Sequence, residues 1–554
     1  MRNPQSALDQ PFKLVGSSVF GRYAKVSVEK TYNMFISDEW LVNFAGYQRV
    51  LELLPSGEGR GAFVSSRGNF AIVVINANVY RISPTLFPIL IGSMNTSTGE
   101  VFIDENLSNQ ICLVDGVNAY IYHWPDPPNL TLQADAQFGV TLIPNYVTYH
   151  NTFFLFGNAL KDSNGAAWFV YQENAGDLTQ ITYFSTQALQ TKADYAIAVK
   201  RIPSQASNVL VFGQNVCEIH SLVSTAPITT GVLPYRRNSS VSIDYGCLSV
   251  NTIASNEDKI AWLGVNASSS PVIMVFSGQK ETRISSDGID YILSRINRPE
   301  KSTALFYRQD GHLFYQLTFY HVDENNPENS DNLTLTYDFT TESFFHLSDQ
   351  NLNYHPARQV IYFDQQTYFI SLNNGSMYRW STDLTQINED LPSNLVESDP
   401  RLVFDMQRIR VCDTIRHPKT APFSVKTAII TIDQGNDPTP GIQECLIYMI
   451  GENGVRMFSE DLIQLVPEHA GEEDCAETPY RGRVDLSISK DGGETFSNTV
   501  SRYTNPLGVR RNIMKWENLG WCNELTPKFR FWLGGRSVVQ NGVLEIIQDK
   551  GGAQ

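Results

Sequence analysis

Short apolar runs broken by polar turns fill most of this chain, and helical periodicity is nearly missing from it. Residues 61–69 lead through a turn into Phe70-Ala-Ile-Val-Val-Ile75, and the turn Asn76-Ala-Asn78 leads into Val79-Tyr-Arg-Ile82. That is three strands, the middle one rich in the β-branched residues that suit a buried pleated surface. The same plan returns at 101–124, 146–171, 195–222, 247–284, 302–347 and 359–380. Units begin near 61, 99, 146, 195, 247, 302 and 358, a spacing of about 50 residues. A period of that size with several short strands per unit predicts a β-propeller. Six and seven blades are both open, because the last unit is short and the N-terminal segment 1–60 can supply its missing strand. Closing the ring in this way protects both sheet edges.

The pattern stops in a polar, Pro-containing stretch, which sets a propeller over 61–382 and a linker over 383–401. Further short strands over 402–554 predict a smaller β-sandwich-like module, so the fold class is all-β. One helix is expected after Ser286, where Ile289, Ile292, Leu293 and Ile296 share a face.

Composition narrows the function classes. The chain is 42% hydrophobic and 11% aromatic, which excludes a disordered protein. Its formal charge of −16 excludes a general nucleic-acid coat, since phosphates need clustered Lys and Arg. A surface that DNA slides past remains compatible with it. The apolar runs fall short of the roughly 20 residues that cross a bilayer, and the N-terminal stretch lacks the apolar core of a secretory signal. No membrane insertion is expected. Seven scattered cysteines without CxxC read as small buried hydrophobes in a chain folded in a reducing cytoplasm.

The most specific local motif is Ser489-Lys-Asp491-Gly-Gly493-Glu-Thr495-Phe496, an Asp box. Its physics is that of a hairpin turn: Asp491 accepts from turn amides, the glycines supply positive φ, and Phe496 packs beneath. Residues 57–61 resemble a phosphate loop, but a strand follows them rather than a helix, so they read as a turn. The acidic stretch 321–331 and the stretch from His469 to Glu477 lack metal-ligand spacing and read as surface loops. No catalytic, cofactor-binding or metal-binding residue is expected. Arg510, Arg511, Trp516, Arg530 and Trp532 interleave cations with aromatics, which in an acidic chain points to a protein interface.

Several ordered patches resemble the packaged-DNA stabilisation proteins, or tail hubs, of short-tailed podovirus phages. They are Asn33-Met34, Gly46-Tyr-Gln-Arg49, Gly59-Arg-Gly61, Val79-Tyr-Arg-Ile82, Val211-Phe-Gly213 and Glu218-Ile-His-Ser221. Residues 244–296 follow the same order of strand, turn and helix, and 486–489, 511–516 and 529–530 echo closing strands. The resemblance implies a non-enzymatic virion protein, assembled in the host cytoplasm, that forms a homohexameric ring below the portal and its adaptor ring. Such a ring would extend the DNA exit channel, retain the packaged genome and mount a needle, fibres or spikes. Duplex DNA would pass through a lumen lined with carboxylates without specific binding. A second class, a glycan-binding or sialidase-like propeller of the tail, is motivated by the Asp box and the aromatic content.

Overall fold

The computed structural model describes residues 8–21, 28–124, 130–132, 138, 142–161, 163–172, 182–225, 232–267, 270–278, 280–323, 325–391, 402–417, 421–434, 482–505, 510–533 and 536–548. Two compact units divide the chain. One comprises Ser17–Met34 and Phe44–Gln407; the other comprises Met1–Gly16, Phe35–Asn43 and Arg408–Gln554.

The larger unit is a run of seven antiparallel sheets over residues 59–93, 102–132, 144–188, 198–243, 246–283, 302–346 and 357–381. The first holds Gly59–Val64, Ala71–Ile75, Asn78–Ile82 and Pro88–Ser93, one strand more than the apolar runs alone indicate. Ala71–Ile75 is buried on both faces, which is why it reads as an unbroken apolar run rather than an alternation. Each such Ile or Val contributes about 1.5–3 kcal/mol on burial.

Consecutive sheets share apolar cores. Ile72 and Val74 pack with Ile111 and Leu113; Cys112 and Val114 pack with Phe154 and Phe156. Trp168 packs with Val209, and Phe212 with Trp262. Leu263 packs with Leu317 beside Ile289 and Leu293 of the helix Asp287–Leu293, whose N-cap Ser286 accepts from the Ile289 amide. Tyr307 stacks on Trp380 at 3.9 Å. Finally Ile361 and Ile370 pack with Ala71 and Val73, so the seventh sheet meets the first. These are seven blades in a closed ring, and the blade number left open by the sequence is seven.

The seam is shut by backbone. Gly46–Leu54 pairs antiparallel with Gly375–Ser381 as the outer strand of blade 7, and the chain then enters the inner strand of blade 1. Tyr47, 1% exposed, meets Phe369 and Tyr378 edge-on at 5.2 and 5.5 Å. Arg49 Nη2 lies 2.6 Å from Glu389 Oε2, which also accepts from the Tyr378 hydroxyl at 2.6 Å. The N-terminal segment is therefore divided: 46–54 closes the ring, whereas Leu8–Phe12 and the hairpin 34–43 join the other unit's sheet. Asn33, left-handed at φ 56°, anchors the propeller side of this excursion. Its amide donates to Ser348 Oγ and the Gln407 carbonyl at 2.9 Å each, and its own carbonyl accepts from Phe44 N.

In the smaller unit, one sheet runs Leu8–Phe12, Gly542–Gln548, Phe423–Gln434, Ser537–Val539, Trp40–Asn43, Met34–Ser37, with Arg511–Cys522 on the other side of Phe423–Gln434. A second joins Arg408–Val411, Glu524–Trp532, Arg483–Ser489 and Val500–Tyr503. Phe12 and Trp516 of the first sheet meet Phe529 of the second at 6.0 and 5.7 Å, so the two sheets face each other as a sandwich. Most of the linker, 392–401, and the stretch 435–481 of the C-terminal module lie outside the described residues.

A Cβ on Gly46 would stand 2.3 Å from the Gln386 carbonyl oxygen and 2.8 Å from that of Leu384, both backbone atoms. Gly46→Val should cost about 2 kcal/mol or more and open the seam first. The expected result is a lower Tm with faster amide exchange in 375–381 than elsewhere; an unchanged Tm would contradict this account of ring closure.

Candidate functional site

The inner strands of the blades line the propeller axis, and their side chains fill it. Glu100, 8% exposed, stands just before the inner strand of blade 2. Its Oε1 accepts from Gln359 Nε2 of blade 7 at 2.8 Å, and its Oε2 accepts from Thr303 Oγ1 of blade 6 at 3.1 Å. Gln359 Oε1 in turn accepts from the Ala62 amide of blade 1 at 2.7 Å. One hydrogen-bonded chain thus links four blades across the axis. Beside it, Lys200 of blade 4 lies over the Tyr146 ring of blade 3 at 5.5 Å, and Phe102 leans on Tyr146 at 4.3 Å. A pocket of about 250 Å³ lies among these groups, and another of about 370 Å³ lies near Asp115, Lys161 and Glu300. Such volumes suit a small molecule. A duplex, whose major groove alone is about 12 Å wide, does not fit.

Buried charges clamp the blades at their connections. Arg60 is fully buried; its Nε donates to the Gly99 carbonyl at 2.6 Å and its Nη1 to those of Thr96 and Asn76 at 2.8 and 2.9 Å. These bonds hold the crossover from blade 1 to blade 2. Arg358, also fully buried, pairs with Glu58 at 2.6 Å and donates to the Tyr320 hydroxyl at 2.7 Å, joining blades 7, 1 and 6. Glu218 accepts from the Gln190 and Thr191 amides at 2.7 and 2.6 Å and lies 3.2 Å from His220 Nε2, fixing the entry to blade 4. Burial alone would raise its pKa, but the bonds from His220, Thr191 and Gln190 bring it down to about 2. The patches Gly59-Arg-Gly61, Gly46-Tyr-Gln-Arg49 and Glu218-Ile-His-Ser221 are therefore places where blades are tied together.

The Asp-box turn forms. Gly492 and Gly493 take φ of 76° and 95°. Ser489 Oγ donates to Asp491 Oδ1 at 2.5 Å and accepts from Gly493 N at 2.8 Å, and Asp491 also accepts from the Glu494 and Thr495 amides at 3.0 Å. The bonds from Ser489 and Thr495 hold the Asp491 carboxyl well below the usual carboxylate range. Phe496 is half-buried, with Lys528 Nζ 5.1 Å from its ring centre, so it lies partly open rather than packed beneath. The motif spends its polar groups on its own hairpin.

Among the five residues read as an interface, only Arg530 and Trp532 come together. The Arg530 and Arg483 guanidinium carbons sit 5.7 and 5.2 Å from the Trp532 ring centre, and its Nε1 donates to Asp485 at 2.8 Å. Arg510 and Arg511 are exposed where Arg511–Cys522 begins. Trp516 is a correction: fully buried, with Nε1 donating to the Val500 carbonyl at 2.8 Å, it offers nothing to a partner. Its parity along the strand, with Asn512 and Met514, puts it on the sandwich core while Arg511, Ile513 and Lys515 face out.

In the loop 321–331, Asp323 accepts from the Asn325 and Asn326 amides, and Asp331 from those of Asn297 and Arg298, which occupies both carboxylates. Among the described residues no group of three or more His, Cys, Asp or Glu is placed to hold a metal. The stretch from His469 to Glu477 lies outside them. The five described cysteines are all buried, and none of them forms a disulfide.

Burial raises the Glu100 pKa from 4.5 to about 7 against the opposing pull of Arg358, Gln359 and Thr303. Between those values the folded chain keeps a proton that the unfolded chain has released, so stability falls as pH rises through this window. Glu100→Gln should remove that loss, raising stability by about 1–3 kcal/mol at pH near 8 and little at pH near 4.5. Thermal unfolding at both pH values checks it, and an equal effect at the two would contradict the assignment.

Among solved structures the chain is similar to streptogramin B lyase, at 9% identity and a TM-score of 0.38, over 62% of this chain and 99% of that one. It is also similar to the N-terminal domain of Nup159, at 8% identity and a TM-score of 0.37, over 64% and 98%. No curated protein matches it. The model of the phage stabilisation family, described as Bacteriophage P22 Gp10, beta-propeller, matches residues 28–321. That match spans more than half of the chain and the first five blades of the ring, so the chain belongs to the phage stabilisation family of β-propeller proteins.

Proposed function

We propose that this chain is a non-enzymatic tail hub, or nozzle, of a short-tailed phage. Copies of it, six in the resemblance drawn above, form a ring below the portal and adaptor. The ring extends the DNA exit channel, keeps the packaged genome from leaking, and carries a needle, fibres or spikes. One observation carries this reading beyond the family: the propeller axis is bridged by Thr303, Glu100, Gln359 and Ala62. Among the described residues the bridged axis leaves a duplex no path along the propeller, so lining a DNA exit falls to the space between copies. Six copies multiply the formal charge of −16 sixfold, and a lumen sharing that excess would let phosphates slide rather than adhere.

A ring taken from virions should weigh about six times 62.3 kDa by native mass measurement. Virions lacking the protein should package DNA to completion and then lose it. Particles that keep their genomes and eject them normally without the protein would overturn the reading.

A further inference from the structure

The outer edge of blade 1 is apolar, and among the described residues no strand covers it. Its outer strand, Pro88–Ser93, pairs with Asn78–Ile82 on one side, and among the described residues no strand pairs with the other. A bulge between Val79 and Tyr80 breaks the alternation, so Ile91 enters the core while the consecutive Ile89 and Leu90 both face outward, 48% and 56% exposed. Phe87, 64% exposed, is presented by the turn before it. That turn is held by bonds from the Phe87 amide to Ser83 Oγ and from the Leu86 amide to the Ser83 carbonyl. It forces Leu86 to φ 57°, a strained backbone for a bulky residue. An uncovered apolar edge of this kind is a template for association.

From Ile82 to Gly99 the sequence contains no Asp, Glu, Lys, Arg or His, in a chain that is 18% charged. The flanking charges point elsewhere. Arg81 lies over the Phe70 ring at 4.3 Å and donates to the Tyr122 hydroxyl at 3.3 Å, while Glu100 is buried on the axis. The edge thus gives a polyanion no cation to hold and gives a charged partner no counter-charge. A second copy is the partner this neutrality fits. Two chains of −16 repel wherever charged faces meet, at a cost of several kcal/mol for juxtaposed like charges, so copies associate where charge is missing. We propose that the blade 1 edge, with Phe87, Ile89 and Leu90, is one face of the contact between neighbouring copies in the ring. Its mate is a different surface of the next copy, the head-to-tail arrangement that closes rings. This rests on the ring reading above.

The test is sedimentation velocity on the full-length chain from micromolar to hundred-micromolar concentration. The wild type should form species heavier than 62.3 kDa. Leu90→Lys and, separately, Ile89→Lys should weaken self-association about 100-fold with unchanged Tm and circular dichroism, because both side chains are exposed in the single chain. Val322→Lys, at a comparably exposed valine (63%) in blade 6, should assemble like the wild type. If the wild type assembles and the edge variants do so equally well, or if Val322→Lys disrupts assembly as strongly, the edge assignment is wrong while the ring stands. If the edge variants assemble normally but their virions lose fibres or adaptor, the edge serves another protein and the proposal fails. A wild type that stays at 62.3 kDa throughout would sink the ring reading and this one with it.

Discussion

A closed ring of sheets has one seam, and everything else in this propeller depends on the strand that shuts it. Gly46–Leu54 pairs with Gly375–Ser381 across more than three hundred residues of chain, and six other blade interfaces are held in place by that single long-range pairing. The backbone bonds alone are worth little net, about 1 kcal/mol each. Their importance lies in what they make possible. With the seam shut, the apolar faces of blades 1 and 7 cover each other, and no inner strand is left with an open side. Gly46, whose missing side chain lets the 384–386 backbone approach, and Arg49, paired with Glu389, fix the first half of this strand.

The same closure explains the buried charges. Arg60, Arg358 and Glu218 sit where one blade hands the chain to the next, in positions that apolar packing cannot lock because the connections carry unpaired carbonyls and amides. A guanidinium bonded to three carbonyls, as in Arg60, satisfies several backbone groups with one side chain. Truncating such a group would leave the carbonyls buried and unpaired, which costs more than the bonds themselves contribute. Glu100 differs. Its carboxyl is tied to Gln359 and Thr303 but desolvated, so it holds the axis shut at some cost in stability at neutral pH. The axis is therefore a bracing element, and in the proposed ring passage of DNA would be a property of the assembly.

Much of the fold is legible in the sequence because strand alternation is local. Units beginning near 61, 99, 146, 195, 247, 302 and 358 correspond to blades beginning at 59, 102, 144, 198, 246, 302 and 357. Outer strands such as Pro88–Ser93 are harder to read, since half of their residues face solvent and a bulge breaks the period. Allegiance is harder still. Nothing local tells that Leu8–Phe12 and 34–43 pair with a C-terminal sheet while 46–54 pairs with the last blade, because register is set by partners hundreds of residues away. Of the site, the Asp-box turn was readable because its bonds span seven residues. The mix of cations and aromatics suggests an interface at Trp516, whereas the alternation of its strand buries it. The axial chain through Glu100 was not readable at all, since a buried carboxylate looks the same in a sequence as an exposed one.

The central claim is that DNA runs between copies of this chain and never along a propeller axis. Imaging of the virion tail at a resolution that separates blades tests it most directly. The account predicts several propellers around one wide lumen, with DNA density in that lumen and each propeller axis filled by protein. Density for a duplex running along the axis of a propeller would contradict it.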